Sequence, residues 1–160
     1  MLHLTLMEVL FRALPDAILF MTGAHIFSNV PINKSKMLKS ILCMTVTVYL
    51  IRSLPISFGI HTLLGVIATT SIIIGFHKFE LTQAIRATFL TTLIQYISEL
   101  INVVWIQVFL DKQIEMIFSN PQIKLLYGIP SLIISAIILY LCYLRKKSRK
   151  DMIENEYRIS

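Results

Sequence analysis

The chain has 160 residues, of which 56% are hydrophobic and only 15% carry a formal charge, and its mean hydropathy is +0.73. This balance excludes an ordinary soluble domain, which would carry more charge and shorter apolar segments. The net charge of +6 would suit nucleic acid binding, but the basic residues cluster between apolar segments, as membrane insertion requires. We therefore expect a lipid bilayer around the chain and no nucleic acid partner.

The apolar segments predict an all-α integral membrane protein with five transmembrane helices, since a bilayer core needs about 20 helical residues. The predicted helices cover residues 4–26, 37–52, 53–76, 81–110 and 125–144. The second is short, so Lys39 and Arg52 would reach to the two surfaces, unless the segment is re-entrant. Ile114, Ile117 and Phe118 indicate a short interfacial helix before the last crossing.

Residues 1–147 are expected to form one transmembrane helical domain, followed by a short charged tail at 148–160 whose last ten residues are expected to be loosely ordered. The distribution of basic residues predicts its orientation. Lys34 and Lys36 mark the first link as cytoplasmic, Lys78 and Arg86 mark the third, and the basic run 145–150 marks the C-terminus. The N-terminus is therefore predicted to lie outside and the C-terminus in the cytoplasm.

Charged and amide side chains inside the predicted helices are the candidate functional residues. Glu8, Arg12 and Asp16 follow one another at helical spacing on one face of the first helix. Glu99 falls near mid-bilayer, where a lone carboxylate is costly, and Arg12 is its predicted partner. The predicted ligand-binding or intramembrane polar cluster comprises Glu8, Arg12, Asp16, Arg52, His61, Gln95, Glu99 and Asn102. Two simpler interpretations stay open: Glu8 is solvated by headgroups, and the Arg12–Glu99 pair only fixes helix packing.

The sequence predicts no catalytic residue, metal site or cofactor. Cys43 and Cys142 lie in apolar segments, and we interpret them as small core residues. Two cysteines in such segments do not indicate a disulfide framework. His25 is expected to stand alone, and His61 is expected at the opposite side of the membrane from both cysteines. No phosphate loop, zinc motif or nucleophile elbow is present in the sequence.

Three stretches resemble the membrane sensor region of histidine kinases of clostridium-like bacteria, similar to accessory-gene-regulator quorum-sensing kinases. They are EVLFRALPD at 8–16, RSLPISFGIHT at 52–62, and FSNPQIKLLYGIPS at 118–131, and Ser98 with Glu99 fits as well. The resemblance covers about residues 1–147 and implies a sensory function in a bacterial plasma membrane. In such kinases a phosphoacceptor helix and an ATP-binding domain follow. Here the chain after Leu144 contains no His, so no kinase activity is expected.

The leading hypothesis is a non-catalytic sensory or regulatory membrane module, either free-standing or the membrane part of a truncated kinase. Its expected partners are the bilayer, a second copy or a partner membrane or kinase protein, and an extracellular small molecule or peptide. The alternative is a small transporter or transporter subunit, with Arg12, Glu99 and His61 lining a path. Such a path also needs polar residues in the cytoplasmic half, where the sequence offers little beyond Thr and Ser. A membrane scaffold or a decayed gene product is a third possibility.

Overall fold

The computed structural model describes residues 9–28, 30–54, 58–110 and 121–159, and all regular structure in these ranges is helical. A π-helical turn, Val9–Ala13, leads into α1, Leu14–Ser28. The next helices are α2, Lys34–Ser53, and α3, Phe58–His77. The last two are the long helices α4, Leu81–Leu110, and α5, Pro121–Ile159. The predicted interfacial helix lies outside the described residues.

α1 is the central helix of the bundle. It packs against α2, α4 and α5, while α3 packs between α2 and α4. Its side chains Ala17, Phe20, Met21 and Ala24 are buried, and they meet Ile41 and Met44 of α2, Ile73 of α3, and Ala84 and Ala87 of α4. This apolar core fills the half of the bundle near the C-terminal end of α1. The charged side chains of α1 lie near its N-terminal end.

Local chemistry explains where α1 and α2 begin. Pro15 cannot donate a backbone hydrogen bond, and the chain forms the wider π turn immediately before it. α2 begins three residues earlier than predicted because Asn33 caps it: the Asn33 Oδ1 accepts from the backbone N–H of Ser35 and of Lys36, at 3.2 and 3.3 Å. α3 ends before Lys78, which adopts a positive φ of 54°.

The structure bears on two expectations about the helices. Only three described helices are long and apolar enough to cross a membrane, at Gly59–His77, Leu81–Phe109 and Leu126–Arg149, fewer than the five predicted. α1 has 15 α-helical residues, and α2 carries several cations. The tail predicted to be loosely ordered instead continues α5 to Ile159; it contains neither Gly nor Pro and is rich in good helix formers.

The outward surface of the three apolar helices consists of large hydrophobic side chains. Leu63 and Ile67 on α3, Phe89 on α4, and Ile133 and Ile137 on α5 are each more than half exposed. A soluble monomer rarely presents so much contiguous apolar surface, whereas lipid tails cover it without cost.

Candidate functional site

An interhelical ion pair lies at the N-terminal end of the α1 region. The Nη2 atom of Arg12, in the π turn, donates to the Oε1 atom of Glu99 on α4 at 3.1 Å. The two side chains are 26% and 44% exposed, so the pair is accessible from the bundle surface. It is the one salt bridge in the described part of the chain. The predicted contact between these two residues is confirmed.

A second polar contact lies one turn away and fixes the same register. Gln95 Nε2 donates to the Asp16 carboxylate at 2.7 Å and lies 3.2 Å from the Asp16 backbone oxygen. One turn forward along the first helix, from Arg12 to Asp16, therefore corresponds to one turn back along α4, from Glu99 to Gln95. The two helices run antiparallel here, and each of these charged side chains contacts a polar or charged side chain of the other helix.

α5 supplies the third side of this polar cluster through its backbone. Asn102 of α4 is 5% exposed and donates from Nδ2 to the Tyr127 carbonyl at 2.7 Å. The Arg12 guanidinium lies against Gly128, where an added Cβ would be 3.4 Å from Nη1. Because Gly128 has no side chain, the Arg12 guanidinium can lie against the backbone of α5. Asn102 Oδ1 is buried without a partner in the described structure.

Two carbonyls of α5 next to Pro130 accept hydrogen bonds from side chains. Ser131 Oγ donates to the Gly128 carbonyl at 2.7 Å, and Asn102 donates to the neighbouring Tyr127 carbonyl. Pro130 lies inside the helix and has no N–H to donate to the Leu126 carbonyl four residues before it.

The remaining predicted site residues lie at the margin of the cluster or outside the described structure. Arg52, in the last turn of α2, is exposed but close enough for its charge to act on Asp16. His61 is half-buried, and its Nδ1 has no hydrogen-bond partner in the described structure. Neither residue bonds to the other predicted site residues that are described. Glu8 lies outside the described residues.

A second polar group at the opposite end of the bundle was not predicted. His25 of α1 and His77 of α3 are 4% and 8% exposed, and their rings meet edge to face with centroids 4.5 Å apart. The expectation that His25 stands alone was wrong. In the predicted topology, the helices next to these two histidines end on the same side of the membrane. The topology could therefore have indicated that the two residues lie close together.

The hydrogen bonds define the tautomers of the two histidines. His25 Nδ1 lies 3.0 Å from the Val30 carbonyl, which can only accept, so this nitrogen carries the proton. Ser40 Oγ donates its single hydrogen to the Met37 carbonyl at 2.8 Å and therefore accepts from His77 Nε2, 3.0 Å away. His25 Nε2 is left as a buried lone pair without a partner in the described structure.

A tightly packed layer separates the polar cluster around Arg12 and Glu99 from the histidine pair. At Gly23 of α1, an added Cβ would lie 2.8 Å from Thr91 Cγ2 and 3.0 Å from Leu139 Cδ2. The backbone of α1 therefore comes close to both α4 and α5 at this level. Phe20, Met21 and Ala24 are buried around it, so no cluster of charged side chains continues between the two polar groups.

α5 also holds the C-terminal end of α1. Lys146 Nζ donates a hydrogen bond to the backbone carbonyl of Ile26. The final carbonyls of a helix have no intrahelical partner, and a cation there also interacts favourably with the helix dipole. α5 is therefore attached to the first helix at both ends, through Gly128 on one side and Lys146 on the other.

The chemistry available in the outer cluster is binding chemistry. It offers a guanidinium, two carboxylates and two amides, a set suited to a ligand with charge and hydrogen-bonding groups. In the ranges that the structure describes, no group of three His, Cys, Asp or Glu side chains is arranged to hold a metal ion. Cys43 and Cys142 are both unpaired thiols.

The apolar helices and their lipid-suited surface define a multi-pass α-helical membrane protein with a polar cluster between its helices. No protein-family model, curated protein or solved structure matches this chain.

Proposed function

We propose that this chain is a non-catalytic sensory or regulatory membrane module whose outer polar cluster binds an extracellular small molecule or peptide. The observation that supports this most directly is the double attachment of α5 to the first helix. At the cluster, Gly128 lies against Arg12, and at the far end Lys146 bonds to Ile26. A ligand that displaces Arg12 would alter the α5 contact at once, and the altered packing would reach the cytoplasmic end.

α5 has the length to carry such a change. It is one continuous helix of 39 residues, about 58 Å long at the usual helical rise. Its apolar part, Leu126–Arg149, is enough to cross a bilayer, and the rest projects beyond it. A ligand would shift the helix packing only as far as its affinities for the two packings differ.

The proposal includes five crossings, with the N-terminus outside and the C-terminus in the cytoplasm of a bacterial cell. α1 lies between α4 and α5, so it is expected to share the bilayer with them. With the π turn, the helical run from residue 9 to residue 28 is about 30 Å long, the thickness of a bilayer core. α2 has 20 residues, which is sufficient if its terminal cations extend to the surfaces.

The resemblance to quorum-sensing kinase sensors supports an extracellular peptide as the ligand and a kinase or a second copy as the partner. The residues that carry this resemblance include Arg12, Asp16, Glu99 and Gly128, which belong to the cluster. The resemblance remains a prediction.

A small transporter is the second candidate, and one observation favours it. The cytoplasmic half of the bundle holds His25, His77 and Ser40, polar residues that a path would need. Against it stands the close packing at Gly23, where an added Cβ would lie 2.8 Å from Thr91 Cγ2 and 3.0 Å from Leu139 Cδ2, and the described helices carry no charged side chain at this level. We therefore favour sensing over transport.

The two candidates predict different responses to the peptide fraction of spent culture medium. In a background carrying Cys43→Ser and Cys142→Ser, cysteines at the neighbouring positions Phe27 and Lys147, which leave the Lys146–Ile26 bond in place, would be bridged by a bis-maleimide. For a sensor, the peptide fraction changes the bridging rate, and Arg12→Gln abolishes the change. A labelled peptide fraction would not accumulate inside proteoliposomes.

The matched control is Lys39→Gln, which removes an exposed cation of α2 and should leave the response intact. A bridging rate that no peptide fraction alters would contradict the sensory proposal. Accumulation of labelled peptide that depends on Glu99 would favour the transporter instead.

A further inference from the structure

Two side chains on one face of α4 can each accept a further hydrogen bond. Asn102 is 5% exposed, and its Oδ1 atom is buried with no partner in the described part of the chain. Glu99 lies one turn earlier on the same face, and its side chain is 44% exposed. Its Oε1 atom accepts from Arg12, and within the described ranges no donor bonds to its second carboxylate oxygen. Both open positions are acceptors, so a ligand must bring N–H or O–H donors to fill them.

The contacts of these residues place both acceptors beside one short piece of α5. Asn102 donates to the Tyr127 carbonyl at 2.7 Å. The Arg12 guanidinium bonds to Glu99 and lies against the next residue of α5, Gly128. Because Asn102 Oδ1 is buried here, a ligand reaches it only in a packing where the guanidinium or α5 has moved. Such a ligand has the higher affinity for the second packing, which a shift between two packings requires.

The charges of the cluster favour a cationic ligand over an anionic one. The hydrogen-bonded charged groups described here are two carboxylates, of Asp16 and Glu99, and one guanidinium, of Arg12. Asp16 is bonded to the neutral amide of Gln95, and the exposed Arg52 makes a salt bridge to neither carboxylate. A ligand carboxylate would add a third negative charge and would have only Arg12 to bind. A cation would instead balance the second carboxylate.

We propose that the ligand binds through a primary ammonium group, which donates to the Glu99 carboxylate and to Asn102 Oδ1 and displaces the Arg12 guanidinium from Glu99. An ammonium group has three N–H donors and no acceptor, so it matches a site whose open positions are all acceptors. A peptide supplies this group as its N-terminal amine or as an amine on a side chain. The inference rests on the sensory proposal and adds the class of ligand group that the cluster recognises.

Chemical treatment of the peptide fraction of spent culture medium tests the ammonium group. The measured response is the bridging rate between cysteines at Phe27 and Lys147 in the full chain, with the native cysteines replaced by serine. Acetylation of all amines should abolish the response, whereas methyl esterification of the carboxylates should preserve it. Acetylation at mildly acidic pH blocks the N-terminal amine alone. Loss of the response there assigns the ammonium to the N-terminus, and its survival there assigns the ammonium to a side chain.

Glu99→Gln tests the receptor side of the same contact. The variant keeps an oxygen that can accept from Arg12 but removes the negative charge that an ammonium group favours. It should raise the half-maximal concentration of the untreated fraction about tenfold. Glu80→Gln is the matched control, because it removes an exposed carboxylate immediately before α4, and it should leave the response unchanged. Should Glu99→Gln fail to fold, the treated fractions applied to the parent chain decide the outcome.

Each opposite result has a definite meaning. An equal response to the fully acetylated fraction would overturn the ammonium group and leave the sensory proposal intact. A response that is lost on esterification but kept on acetylation would assign binding to a carboxylate and would also overturn it. Equal shifts in Glu99→Gln and Glu80→Gln would overturn the contact with Glu99. If the untreated fraction leaves the bridging rate unchanged, the sensory proposal fails and this inference fails with it.

Discussion

Arg12 and Glu99 lie 3.1 Å apart although 87 positions separate them in the chain. This contact, together with the Asp16–Gln95 contact one turn away, fixes how the first helix lies along α4. Arg12 also lies against Gly128 of α5, so three helices meet at the ion pair.

We expect Arg12 and Glu99 to be energetically coupled. Arg12→Leu and Glu99→Leu should each lower the free energy of unfolding in mixed micelles, and the double variant should recover part of the loss. The coupling should be about 1–2 kcal/mol, less than for a fully buried pair, because both side chains keep some exposure. Lys147→Leu serves as the control for losing an exposed cation, and strictly additive losses would disprove the coupling.

Gly23→Ala should destabilise the bundle, although alanine is the better helix former. The new Cβ would lie 2.8 Å from Thr91 Cγ2, and such overpacking costs about 1–3 kcal/mol. Gly65→Ala is the matched control, since nothing lies within 4 Å of its added Cβ, and it should stabilise α3 by up to about 1 kcal/mol. Equal stability of the two variants in mixed micelles would contradict close approach at Gly23.

Asn102→Ala should cost about 1 kcal/mol of unfolding free energy through the loss of its bond to the Tyr127 carbonyl. Gln107→Ala, on an exposed position of the same helix, should be nearly neutral. Equal losses of unfolding free energy in the two variants would show that the bond from Asn102 to α5 does not contribute to stability.

Reporter fusions should detect five crossings. We expect a cytoplasmic signal after Lys36, Lys78 and Arg149 and an external signal after Ser53 and Glu115, because basic links are retained on the cytoplasmic side. The fusion after Ser53 is decisive for α2. This helix is not among the three that are apolar enough to cross a membrane, because it carries several cations. A cytoplasmic signal there would mean that α2 does not cross and would reverse the inferred side of every later link.

The order and limits of the helices followed closely from the sequence. α4 covers the predicted residues 81–110, and α5 begins at Pro121, four residues before the predicted span 125–144. These limits depend on local chemistry, namely where apolar residues begin, where proline must stand and which residue caps a helix. The prediction that the charged tail is loosely ordered was wrong. It was inferred from the charge of the tail, whereas the helix propensity of these residues favours continuation of α5.

The sequence also determined that Glu99 needs a partner and that Arg12 is suited to be one, since an unpaired charge is costly in a membrane. Only the tertiary structure decided that Gln95 holds Asp16, that Arg12 lies on Gly128, and that His25 meets His77. Those contacts depend on the rotation and depth of each helix relative to its neighbours. Close packing at positions such as Gly23 sets that rotation and depth, and the pattern of apolar residues along one helix does not record them.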